Sequence, residues 1–174
     1  MTTKRDFNIE EWWLLQEAPL LVGTAMIYAS NSNISGTMHE IVASATAMAN
    51  AGQMFPNNEL IEGILRLDDD STVYKPPIPA SAGKNREERR ALIRQTALDK
   101  CKRAADILEK KATGRETREY KMWVMAIGGD VATAVKEGGV LGFGAKAITE
   151  AEVKLLEEIA SALRYTTYVP PKAK

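Results

Sequence analysis

One cysteine and one histidine are all that 174 residues contain of the two side chains on which most nucleophilic and metal chemistry depends. A lone Cys101 excludes an internal disulfide and favours a reducing compartment, the cytoplasm. A lone His39 excludes the paired Glu-x-x-His motifs of di-iron bundles and most zinc sites. Net charge is absent too: 23 basic residues meet 23 acidic ones. The molecule as a whole thus has no field to recruit nucleic acid or an anionic membrane. No apolar run is long enough to span a bilayer, because the best, Trp12 to Ala29, is interrupted by Gln16, Glu17 and Pro19. Membrane attachment is not expected, although Trp12-Trp13 could lie at an interface. The opening residues lack the short apolar stretch and small-residue cleavage site of a signal peptide. Strand signals are equally scarce, since the one alternating stretch, Tyr165 to Val169, abuts prolines.

What remains is helix, written nearly twice. Trp13 opens an apolar helix to Ala29, a small-polar loop follows (Ser30 to Gly36), and Thr37-Met38-His39-Glu40 starts the next helix. A hundred residues later Trp123 opens an apolar helix to about Val135, a glycine-rich loop follows (Gly138 to Gly144), and Thr149-Glu150-Ala151-Glu152 starts the last helix. Both second helices begin with Thr-x-x-Glu, in which hydroxyl and carboxylate satisfy free backbone amides reciprocally. The expected fold is all-α: about six helices in a pseudo-twofold bundle of two repeated helical hairpins, one domain over residues 1–174.

Spacing and stop signals place the helices at Ile9–Ala29, Met38–Ala51, a short one through Leu60 to Leu67, Arg86–Ala112, Glu116–Glu137 and Glu150–Leu163. Pro19 predicts a kink or a restart in the first. Gly52 and Gly114 read as helix stops. Asp68 to Lys84, with Pro76-Pro77-Ile78-Pro79, reads as an exposed linker, and 165–174 as a mobile tail. The fourth helix is the most charged. Ile93, Ala97, Cys101, Ala104 and Leu108 form its thin apolar stripe, with Asp99–Arg103 and Asp106–Lys110 as pairs four apart on the wet face. It is expected to lie outside. Gly23, Thr24, Ala25 and the small residues 43–49 of the first half are expected to meet Ala126, Gly128, Gly129, Ala132 and Ala134 of the second. Trp12, Trp13 and Trp123 read as core anchors.

Such a helix–loop–helix unit used twice resembles the TerB-like, tellurite-resistance-like families. The run Lys136-Glu137-Gly138-Gly139-Val140-Leu141-Gly142-Phe143-Gly144, followed by Glu150-Ala151-Glu152 and a Leu/Ile/Ala helix, is similar to a group of uncharacterised bacterial helical proteins. The resemblance covers the last fifty residues well and Trp12 to Ala51 loosely, and implies an all-helical fold without implying an activity. TerB-like loops present acidic residues associated with metal. Here those positions hold serine, asparagine and glycine, poor ligands for a hard cation, so no metal and no cofactor is expected.

Two functional readings follow. The first is a non-enzymatic interaction protein, self-associating or bound to another protein, with Phe7, Trp12, Trp13, Tyr165 and Tyr168 contributing contact. The second is a phosphate or nucleotide binder in which the loop 138–146 presents open backbone amides, with Gly142, Phe143, Gly144, Lys146 and Thr149 at the ligand. The loop departs from a P-loop: Ala145 separates Gly144 from Lys146, no Ser/Thr follows the lysine, and a helix precedes. Asp68–Asp70 and the Arg86, Arg89, Arg90, Arg94 cluster read as solvated surface, the arginines being interleaved with Glu87 and Glu88.

Overall fold

Short polar residues set the starts of the helices in the computed structural model, which describes residues 1–29, 46–66, 83–137, 148–167 and 169. Thr3 and Asp6 close a 3-10 turn, Lys4–Asp6. Asn8 then starts α1 (Ile9–Ala29): its side chain accepts from the Glu11 amide at 2.9 Å, and Glu11 accepts from the Asn8 amide at 2.8 Å. Residues 46–52 are helical (α2). Asn58 caps α3 (Glu59–Leu65), as an asparagine at that helix start predicts. Asn85 caps α4 (Arg86–Lys111), and Thr149 with Glu152 forms the expected capping box of α6 (Glu150–Ala162).

The start of α5 (Gly114–Glu137) corrects the sequence reading. Gly114 begins this helix and does not end the preceding one, because α4 already closes at Ala112. The reason is a further Thr-x-x-Glu box, Thr113 to Glu116: the Thr113 amide and hydroxyl both donate to Glu116 Oε2, at 3.1 and 2.7 Å. Helical geometry resumes after two residues, and a glycine at the first helical position is tolerated.

The described residues form an all-helical bundle with no strand among them. Helix α1 packs against α4, α5 and α6 at once. Contacts fix the directions. Glu17 meets Lys100 and Glu11 meets Lys111, so α4 runs antiparallel to α1. Leu15 meets Tyr120, and Val22 lies by Gly128, so α5 runs parallel to it. Arg94 pairs with Glu158 and Asp106 with Arg164, which makes α6 parallel to α4.

Most of α1 is buried, from Trp12 and Leu14 through Val22 and Gly23 to Met26 and Ile27, and one stripe of it stays open, with Ile9 and Trp13 exposed and Gln16, Leu20, Thr24 and Tyr28 half-buried. Helical geometry continues through Pro19, without a restart. Proline supplies no amide to the Leu15 carbonyl one turn earlier. The fully buried Tyr120 hydroxyl donates to that carbonyl instead, at 2.8 Å.

The charged α4 is not peripheral. Its stripe of Ile93, Ala97, Cys101, Ala104 and Leu108 is fully buried, and the small members let α1 approach closely. The charges sit along the seams. Lys100 reaches Glu17 at 2.6 Å and the Arg94 Nε reaches Glu158 at 2.9 Å. Asp99–Arg103 is present, at 3.9 Å, whereas Asp106 binds Arg164 of the following helix end and not Lys110.

Of the two glycines of α5, Gly128 makes a close approach and Gly129 faces open space. A Cβ on Gly128 would stand 2.8 Å from Leu156 Cδ2 and 3.4 Å from Val22 Cγ1, so the glycine lets α5 close against both α1 and α6. Residues 43–45 lie outside the described residues.

The tryptophans divide. Trp123 is fully buried, edge-on to Tyr120, and its indole donates to the Met48 carbonyl at 3.1 Å. Trp12 is buried against Phe7 and over Gly63 of α3. Trp13 is 43% exposed, so the first anchor is Trp12 alone.

Candidate functional site

The residues expected to act fall into three groups. Gly142, Phe143, Gly144, Lys146, Tyr168 and His39 lie outside the described residues, as do the Thr37–Glu40 box, the Asp68–Asp70 run and most of the 68–84 linker. Thr149 is described, and its hydroxyl and amide are engaged with Glu152 in the α6 cap. Of the expected contact residues, Phe7 and Trp12 are buried inside the chain, Tyr165 is half-buried against the core, and Trp13 presents surface.

Trp13 does not stand alone. Ile9, one turn before it on the same face of α1, is 52% exposed. Beside this pair Glu17 is bound by Lys100 at 2.6 Å, whereas Glu11, bound by Lys111, lies on the opposite side of the helix. The result is a small apolar patch edged by charges of both signs at the amino end of α1.

A second feature was not anticipated. A cleft of about 470 Å3 opens where the end of α4, the start of α5 and residues 164–167 meet. Its lining includes Glu109, Arg118, Lys121, Arg164, Thr166 and Thr167. Lys121 is only 7% exposed, and its ammonium contacts Glu109 Oε1 at 3.0 Å. Arg164 donates to Glu109 Oε2 at 2.6 Å and to Asp106. The bonds from Lys121 hold the Glu109 carboxyl below its ordinary range despite opposing desolvation, and Arg164 adds to the effect. Arg164 lies in the left-handed region, φ 52°, just past α6. Its amide donates to the Ser161 carbonyl and the Tyr165 amide to the Ala160 carbonyl, a Schellman closure in which glycine is the usual residue. The ion pairs offset that strain. No sequence spacing signals this cluster, because its members come from three separated segments.

Comparison with known proteins adds no relative. No family model matches the chain, no curated protein matches it, and no solved structure matches it.

Elsewhere the chemistry is quiet. Cys101 is buried, and desolvation pushes its thiol up to about 12, too high to supply thiolate at neutral pH. Among the described residues no three His, Cys, Asp or Glu side chains gather as a metal site, and no helix is long and apolar enough to cross a membrane. A smaller cleft of about 210 Å3 between α1, α4 and α6 is bridged by the Arg94–Glu158 pair.

Proposed function

We propose that this chain is a non-enzymatic helical protein that works by association, first of all with a second copy of itself, through the Ile9–Trp13 face of α1. The observation that carries the reading is Trp13: a tryptophan 43% exposed, one turn after a half-exposed isoleucine on the same face of α1. Burying such a pair removes apolar area from water at about 25 cal/mol per Å2. Tryptophan is also the residue type most enriched among side chains that dominate interface energetics. A twofold dimer brings the same patch against itself. The Glu17–Lys100 pair provides both signs of charge for such a rim, and zero net charge leaves no long-range repulsion between copies. The single buried thiol fits a cytoplasmic setting.

Sedimentation velocity from low to high micromolar concentration tests this. The wild-type chain is expected to show a concentration-dependent dimer, and Trp13→Ser to remain monomeric with an unchanged circular dichroism spectrum. A wild-type chain that stays monomeric throughout, and binds no partner protein through this face, overturns it.

A further inference from the structure

We infer that the cleft beneath Arg164 is a binding site for a small organic carboxylate. Three cations and one carboxylate line it: Arg118, Lys121, Arg164 and Glu109. Arg164 is matched by Asp106, which is not part of the lining, and Lys121 by Glu109. Arg118 makes no ion pair with a described residue and is left as one unmatched positive charge at the mouth.

Lys121 contributes more than its pairing uses. An ammonium has three donors, and this one is nearly enclosed with a single carboxylate partner. Its remaining donors and the Arg118 guanidinium fork together fit the two oxygens of one carboxylate, the geometry for which arginine is suited. Thr166 and Thr167 line the same cleft.

Charge decides between anions. A carboxylate brings one negative charge and balances Arg118. A phosphomonoester brings close to two at neutral pH and would set the surplus beside Glu109. Volume and lining point to an organic body: about 470 Å3 far exceeds a bare ion, and Ala112 and Tyr165 give the cleft an apolar side. The site lies at the end of α5 away from Glu137. It is also independent of the Ile9–Trp13 face.

The test uses the full chain and isothermal titration with benzoate, acetate, benzamide and inorganic phosphate. Benzoate is expected to bind saturably, more tightly than acetate, and neutral benzamide is expected not to bind. Arg118→Ala, at an exposed position, removes a charge-assisted contact and should weaken benzoate roughly tenfold without changing the thermal midpoint. Glu109→Gln frees Lys121 and Arg164 from their competitor and should strengthen it several-fold, the opposite of a purely structural ion pair. The inference is overturned by no saturable benzoate binding, by equal binding of benzamide, by tighter binding of phosphate, or by affinity indifferent to Arg118→Ala and Glu109→Gln.

Discussion

The Tyr120 hydroxyl stands 2.8 Å from the carbonyl of Leu15, the backbone acceptor that Pro19 cannot serve. A helix crossing the core can hold a proline because a side chain of the neighbouring helix replaces the missing amide. Both partners are buried, so the bond has no water to substitute for it.

Tyr120→Phe keeps the ring against Trp123 and removes only the donor. It should cost about 1–3 kcal/mol in denaturant titration, the usual cost of stranding a buried polar group. In a Pro19→Ala background the amide of residue 19 returns to Leu15, and the same substitution should cost less than about 1 kcal/mol. Equal losses in both backgrounds would show that the hydroxyl does not replace the proline's amide.

Glu116 predicts an acid limb. It is 1% exposed, and burial alone would raise its carboxyl. Bonds from the Thr2 amide and from the hydroxyls and amide of Thr113 and Thr2 outweigh burial and bring it from 4.5 to about 2. A carboxyl lowered on folding stabilises the native state above its unfolded value, and that stability is lost as pH falls through the folded value. The contribution, about 3 kcal/mol at neutral pH, should therefore disappear between about pH 4.5 and 2. Glu116→Gln should lower stability at pH 7 and flatten the decline across that window, as followed by thermal unfolding against pH.

Two adjacent glycines should respond in opposite ways. A Cβ on Gly129 meets nothing within 4 Å, so Gly129→Ala should gain up to about 1 kcal/mol of helix propensity. At Gly128 the new methyl must displace Leu156, 2.8 Å away in the core, and overpacking of about 1–3 kcal/mol should cancel or exceed that gain. A Gly128→Ala variant more stable than Gly129→Ala would contradict the close approach of α5 to α6.

Cys101 should react with a soluble disulfide reagent only as the protein unfolds, since the thiol is both enclosed and held protonated. Stopped-flow labelling rates in dilute denaturant are expected to rise in step with the unfolding rate. Fast labelling of the native protein would place the thiol at the surface.

Much of the bundle is written in local pattern. The Asn58 and Thr149 caps, the three-and-four spacing of Ile93 to Leu108, and the bounds of α1 are local properties, and they appear where the local pattern places them. What was illegible depends on neighbours remote in sequence. Trp12 and Trp13 differ only by a 100° rotation on a helix apolar all round, so periodicity gives no reason to bury one and expose the other. The placement of α4 is not legible in its charge, because Lys100 and Arg94 are turned across the seams toward Glu17 of α1 and Glu158 of α6. Asp106 had a local partner four residues on, and a better one fifty-eight residues away. The cleft assembles from just such distant choices.

The central place of α1 also bears on how the chain is made. This helix leaves the ribosome before α4, α5 and α6, whose surfaces shield it and end near Leu163. At 5–20 residues per second, a greasy rod stays uncovered for roughly 10 s of synthesis. Newborn copies should therefore lean on a holding chaperone during that interval, and a stall before α6 should send them to aggregates.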